Sequence, residues 1–341
     1  MQVATQADQA VAQGVGIGGE THGLRLAWNH RRERTAVPST PGAHSPAPPR
    51  VNAPDVALIF EGGGMRAAYT SAVVVRLIEA GIVFPFVAGI SAGCTNTVNY
   101  LSSDRWRAKA AVTTFAGDPQ FGNWRTFVRG QGLFNSDYIY LRTSRPGEAL
   151  PLDYEAFAAH PADVSMTAFR TRDGATVRWG RSAMTDLDAV SVRAQASSTM
   201  PVIMPPVEID GEQYVDGALC TTGGIAIDAA REAGFRRFFV VLTQERGYRK
   251  TPPGHARFLR RYFRRTPAVA DALIDRWSRY NSTREELFDL ESSGEAYLFV
   301  PETMAIGNGE RSVPRLLAAH ERGLNQSTRE LPRWRDFLGV S

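Results

Sequence analysis

The sequence predicts an α/β fold: a mostly parallel central sheet flanked by helices, preceded by a Pro- and Ala-rich tail. Three observations carry this expectation. Val56-Ala57-Leu58-Ile59-Phe60 and Phe86-Val87-Ala88-Gly89-Ile90 are continuous apolar runs of strand length, the pattern of strands buried on both faces. Each run leads through a turn into a helical stretch, Met65 to Ala80 and Ala92 to Leu101. Strand, glycine loop, helix, strand, turn, helix is a βαβα unit, which implies parallel strands joined by right-handed crossovers.

Residues 1–53 are rich in Ala, Gln, Gly, Thr and Pro and end in Thr40-Pro41-Gly42-Ala43-His44-Ser45-Pro46-Ala47-Pro48-Pro49. Such a stretch buries too little apolar surface to offset its ordering entropy, so it is expected to be a disordered tail. The folded part opens at Asp55. Glu61-Gly62-Gly63-Gly64 breaks the first strand, and Gly81 closes the first helix at its C-terminal cap. Val164–Arg170 and Thr176–Trp179 flank Arg172-Asp173-Gly174, a hairpin signal. Val207–Ile209 and Gln213–Val215 flank Asp210-Gly211, a second one. A helix from Ile225 to Ala233 leads to the core strand Arg237–Leu242. The last third is helical apart from the strand Tyr297–Val300, and closes with a helix from Val313 to Arg322.

Composition narrows the class. With 341 residues, 43% hydrophobic and 22% charged, the chain can bury a full core without staples, as two domains or one large one with excursions. Collagen-like, coiled-coil and wholly disordered classes are excluded. Cys94 and Cys220 are the only cysteines, which excludes a disulfide scaffold and a Cys-rich zinc domain and leaves at most one disulfide. The net charge of +4 and pI near 9.2 are mildly basic, short of a nucleic-acid signature. All basic residues except Lys109 and Lys250 are arginine, which fits a codon bias and matters physically where arginines cluster. No segment reaches the roughly 18 to 20 apolar residues that span a bilayer, and Met1 to Gly19 lacks the basic and apolar regions of a secretory signal. The expectation is a cytoplasmic protein, with peripheral membrane contact open.

Gly89-Ile90-Ser91-Ala92-Gly93 matches G-x-S-x-G. Small residues flank the serine because the strand-to-helix turn is tight and strained; the turn lifts Oγ above the sheet with a helix N-terminus behind it. A structural turn is the alternative, and the strand before and helix after favour a nucleophile. Glu61-Gly62-Gly63-Gly64-Met65-Arg66 ends the preceding strand. Consecutive glycines leave backbone N–H groups unshielded, able to converge on one anionic oxygen. Gly62, Gly64 and Ala67 also satisfy a dinucleotide fingerprint, but the acid that this needs about 20 positions on is missing between Gly81 and Ile90. No Gly-Lys-Ser/Thr follows, so a P-loop is out. Asp216-Gly217-Ala218, after Tyr214-Val215, places a carboxylate at a strand end beside two small residues; alone it would read equally as a turn aspartate.

Together these segments resemble the patatin-like phospholipase family, which carries a glycine-rich oxyanion loop, a G-x-S-x-G serine and an Asp-Gly-Gly/Ala aspartate in this order. The resemblance extends over Ala196-Ser197-Ser198-Thr199-Met200-Pro201 and Pro205-Pro206, and spans about Asp55 to Leu242. It implies a patatin-like three-layer fold, a catalytic domain over residues 54–250, and a helical extension over residues 251–341 packed on it. It implies a lipid acyl hydrolase in which Ser91 is the nucleophile and Asp216 its general base. Gly62, Gly63 and Gly64 would supply the oxyanion hole with Arg66 beside it, and Gly89 and Gly93 would shape the nucleophile elbow. No metal or organic cofactor is called for; the partner is a lipid or fatty-acyl ester, and nucleic acid is not expected. The family usually has Asp where Glu61 stands and Gly where Ala67 stands, which puts loop geometry in question more than chemistry.

Two other readings stay open. His255 and His320 follow Asp216, so a Ser-His-Asp esterase of small esters is possible in chain order; a catalytically idle lipid- or nucleotide-binding module is the other. Trp106, Phe115, Phe121, Trp124 and Phe127 could line an acyl pocket or cap the core. Tyr280, Asn281, Glu285 and Glu286 read as structural. Arg257, Arg260, Arg261, Arg264 and Arg265 recur at helical spacing, with Phe258, Leu259, Tyr262 and Phe263 expected on the opposite arc. That is either a helix packed on the protein with a solvated basic face or one facing an anionic membrane.

Overall fold

The computed structural model describes residues 49–122 and 132–340. The two leading apolar runs are strands β1 (Val56–Phe60) and β2 (Phe86–Gly89), linked through the 3-10 turn Gly64–Arg66 and helix α1 (Ala67–Glu79). Helix α2 (Ala92–Leu101) follows β2 directly. Helices α3 (Arg105–Ala110) and α4 (Tyr154–Ala159) lead to the hairpin of β3 (Asp163–Arg170) and β4 (Thr176–Trp179). Helix α5 (Leu187–Ser198) precedes a second hairpin, β5 (Val207–Ile209) and β6 (Glu212–Asp216). Then come α6 (Ile227–Glu232), β7 (Arg237–Val241), α7 (Ala256–Tyr262), α8 (Pro267–Ser292), β8 (Ala296–Phe299) and α9 (Val313–Leu338).

Among the described residues the strands form one sheet in the order β5-β6-β3-β2-β1-β7-β8, with β4 pairing β3 off this path. Strands β3, β2, β1, β7 and β8 run parallel, and the hairpin partners β4, β5 and β6 make the antiparallel pairs. This is the mixed, mostly parallel sheet of a patatin-like α/β fold. Side chains alternate across it with period two. Val56, Leu58 and Phe60 face a core shared with α1, α2, α5 and α9, while Ala57 and Ile59 face α6 and α8.

The last helix departs from the sequence expectation. It runs on past Arg322 through Gly323 and Pro332 to Leu338. Gly323 does not end it because a side chain is what that position excludes: a Cβ there would lie 2.2 Å from the Tyr69 carbonyl oxygen. The glycine lets α9 cross α1 with its backbone almost in contact. Tyr69 OH donates to Gln326 Oε1 at 2.6 Å, and Trp334 is fully buried against Phe239. At the other end of the described chain, the Asn52 amide bonds Gly81 O and Val83 N, so the segment before β1 is already tied down. Cys94 and Cys220 are both buried and free.

Two histidines are enclosed in this framework. His320 of α9 meets Ser71 Oγ at 2.9 Å, and His160 packs at a tilt against Tyr100, ring centroids 5.3 Å apart. Burial pushes each imidazole down to about 4. The folded value lies below the unfolded one of about 6.5, so their stabilising contribution is present above pH 6.5 and lost as pH falls towards 4. His320→Gln is expected to recover roughly 2–3 kcal/mol of the wild-type loss between pH 7 and pH 4.5. Urea unfolding at the two pH values reads this directly; an unchanged pH dependence would refute it.

Candidate active site

Three strand ends converge on one point. Ser91 follows β2 and precedes α2, with φ 57° and ψ −130°. A serine in that region is strained, and the strain is held by contacts that only glycine permits. A Cβ on Gly93 would lie 2.3 Å from Phe60 O, and one on Gly89 would lie 2.5 Å from Gly93 O. Helix α2 therefore sits hard against the end of β1. The Ser91 amide donates to Ser197 Oγ at 3.0 Å, and Ser197 Oγ donates to Thr167 O at 2.6 Å.

Asp216 ends β6. Its amide donates to Thr199 O, and its Oδ1 accepts from Ala218 N at 2.8 Å. A Cβ on Gly217 would lie 2.1 Å from Thr167 O, so the Asp216-Gly217-Ala218 turn presses onto β3. Ser91 Oγ donates to Asp216 Oδ2 at 2.8 Å, and both residues are buried. Burial raises the Asp216 carboxyl above its ordinary range, against smaller lowering effects of the Ala218 amide, the Arg276 charge and Ser91. A carboxylate so placed is a stronger proton acceptor than one in water.

The glycine loop after β1 differs in detail from expectation. The Gly62 amide donates to Gly224 O at 3.0 Å, so it is not a free donor. Gly63 and Gly64 give their amides to no acceptor among the described residues, and Gly64 has φ +54°. Gly62 instead provides room: its Cβ would lie 3.0 Å from Ser91 Cβ. Arg66 lies beside the loop but turns its guanidinium into Thr243 O and Asn308 Oδ1. It braces two loops against each other. Glu61 is buried and accepts from Tyr280 OH at 2.7 Å and from Thr243 N at 2.5 Å, which accommodates the carboxylate that departs from the family pattern.

Sequence reasoning assigned no role to several groups that shape the site. Asn308 O accepts from Met65 N and would lie 2.6 Å from a Cβ on Gly64; its only sequence signal was a Gly-Asn-Gly turn. Ser197 was visible within the Ala196–Pro201 segment, without a role. Arg276 Nε donates to Gly223 O at 3.2 Å. Lys250 Nζ lies 4.2 Å from the Tyr280 ring centroid, and burial with the Arg276 and Arg66 charges holds its ammonium well below the usual lysine range.

An apolar cavity opens beside Ser91, with about 910 Å³ of free space including its mouth. Phe115, Phe121, Phe134, Met200 and Met204 line it, and Arg107 stands at its wall with its guanidinium donating to Asn99 Oδ1 and Leu150 O. Of the aromatics singled out in the sequence, Phe115 and Phe121 belong to this lining. Trp106 is exposed, and Trp124 and Phe127 lie outside the described residues.

No histidine bonds Ser91 or Asp216 among the described residues. His320 is engaged with Ser71, and His255 precedes α7 as its cap residue. Glu285 and Glu286 pair with Arg249 and Arg231 on the surface. The arginine segment departs from its expected two-faced form. Helix α7 spans only Ala256–Tyr262, so Arg264 and Arg265 lie beyond it, and of its apolar residues only Leu259 is buried. Phe258 is 58% exposed and Tyr262 53%. A seven-residue helix resting on α8 along one line covers one residue's arc and leaves the flanks in solvent.

Comparison with known proteins gives the following. A family model described as patatin-like phospholipase matches residues 58–229, and one described as a domain of unknown function (DUF6363) matches residues 266–339. The uncharacterized protein YjjU of Escherichia coli (strain K12) is 27% identical over 214 residues, which cover 61% of this chain and 57% of that protein. The matched part thus spans just over half of that relative. The crystal structure of VipD from Legionella pneumophila aligns with a TM-score of 0.44 at 13% identity, covering 82% of this chain and 67% of that one.

Proposed function

Because the chain belongs to the patatin-like phospholipase family, we propose that it hydrolyses carboxylic esters of lipids through an acyl-enzyme on Ser91, with Asp216 as the general base. The observation that carries this reading is the direct 2.8 Å bond from Ser91 Oγ to Asp216 Oδ2 between two buried side chains. Ser91 Oγ attacks the ester carbonyl carbon while its proton passes to Asp216 Oδ2. The carbonyl oxygen becomes an oxyanion and accepts from the free Gly63 and Gly64 amides, of which each is worth about 3 kcal/mol in the transition state. Protonated Asp216 then gives its proton to the departing alcohol oxygen. Water, deprotonated by Asp216, attacks the acyl-serine, and the proton returns to Ser91 Oγ as the fatty acid leaves.

The apolar cavity beside Ser91 supports an acyl chain as the group transferred. Arg276, a cation outside that cavity whose charge reaches Asp216, supports a phosphate-bearing alcohol portion.

A fluorophosphonate ester probe followed by intact mass tests the proposal. A single adduct is expected on wild type and none on Ser91→Ala; folded wild-type protein that takes no adduct, even with lipid vesicles present, overturns it. The labelling rate should fall as pH drops through the raised Asp216 value, because only the carboxylate accepts the proton. Its acid limb should therefore lie above the ordinary carboxyl range near 3.9. A flat profile down to that range would assign the base elsewhere.

A further inference from the structure

Helix α7 and the residues after it form a surface that the hydrolytic site does not use. Arg257, Arg260, Arg261, Arg264 and Arg265 are all exposed, and Phe258 and Tyr262 stand between them. Those two rings and Trp106 are the exposed large apolar side chains among the described residues. Phe258 and Tyr262 pack on each other with centroids 5.8 Å apart, and Tyr262 packs on Phe263 at 4.8 Å. Among the described residues only Arg260 has a carboxylate within ion-pair distance, Asp271 at 3.7 Å. Among the described residues the other four guanidinium groups form no ion pair, and they surround an aromatic pair in solvent.

We propose that this surface docks the protein on an anionic lipid bilayer. The charge within this nine-residue span is one-signed and, Arg260 apart, unpaired among the described residues, which anionic headgroups complement. The aromatics fit the same partner: rings of this kind settle at headgroup depth, where one side is apolar and the other wet. The arginine stems extend along such a surface while their heads reach phosphate oxygens. Nucleic acid would match the charge and leave the outward aromatic pair without a stacking groove around it. The surface is also coupled to the interior. Phe263 packs against the cluster of Val215, Leu219, Val269 and Ala272, and Val215 and Leu219 stand on either side of the Asp216 turn. A membrane bound at α7 therefore lies one packed layer from that turn.

Co-sedimentation of the full chain carrying Ser91→Ala, so that no lipid is consumed, tests this independently of the hydrolase reading. The expected result is binding to vesicles of phosphatidylglycerol and phosphatidylcholine, little binding to pure phosphatidylcholine, and weakening with salt. Each arginine removed should lower partitioning about fivefold, so Arg257→Gln, Arg261→Gln and Arg264→Gln together should lower it roughly a hundredfold. Phe258→Ala with Tyr262→Ala should lower it about tenfold and leave the salt dependence in place. All five positions are exposed, so an unchanged thermal midpoint verifies the fold. Equal binding to both vesicle types, or variants that bind like wild type, overturns the proposal. So does a duplex oligonucleotide that binds the same five side chains more tightly than vesicles, or a dimer in sedimentation velocity that the aromatic double variant dissolves.

Discussion

Asp216→Asn is expected to lower kcat for a chromogenic ester by roughly 10²- to 10⁴-fold, with KM little changed. The amide keeps the size of the carboxyl and can still accept from Ala218 N through its oxygen, so the turn retains its shape. What is lost is the capacity to take the serine proton. Ser91→Ala should remove turnover to background, and the double variant should be no worse than Ser91→Ala, because groups acting as one unit are not additive. Retention of activity within about fivefold by Asp216→Asn would mean that solvent or another group serves as base. Equal thermal midpoints for the three proteins would show that the loss is chemical, not structural.

Gly93→Ala carries the second large expectation. Its Cβ would lie 2.3 Å from the Phe60 carbonyl oxygen, a backbone atom that cannot swing aside. Helix α2 must move off β1, and Ser91 at its first turn moves with it. Overpacking of this kind costs about 1–3 kcal/mol, and a displacement of about 1 Å at a nucleophile costs about 10²-fold in rate. The same exchange at Gly247, where a new Cβ meets nothing within 4 Å, should leave both stability and rate near wild type. Unfolding and steady-state kinetics on the two variants decide it; a Gly93→Ala protein as stable and active as Gly247→Ala would show the turn to be tolerant.

Much of this was legible in the residues because local rules and the global fold agree there. The runs at Val56 and Phe86 are apolar at every position since both faces of a central parallel strand are covered. Asp210-Gly211 marked the second hairpin, with Asp210 at φ +52° and Gly211 at +77°. Ser91, Asp216 and the glycines were readable because a tight turn restricts residue type at fixed spacing. The Gly62 donor was misread because no local pattern shows that its amide is taken by Gly224, 162 positions later. Asn308 and Thr243 shape the glycine loop through long-range contacts that leave no spacing signal. The sequence ends helix α9 early because glycine and proline weaken a helix by propensity, whereas here a crossing helix demands the glycine.

That crossing has a consequence for how the protein comes into being. Helix α1 grows out of the glycine loop, and it is covered by α9, whose Gly323 touches Tyr69, while Asn308 props Gly64 from the same late part of the chain. A ribosome emits residue 64 long before residue 308 or 323, an interval of roughly tens of seconds at ordinary elongation rates. During that interval the loop lacks its prop and α1 its cover. Assembly of the loop beside Ser91 and Asp216 thus waits for residues 308 and 323, and a chain that stops before them leaves α1 uncovered.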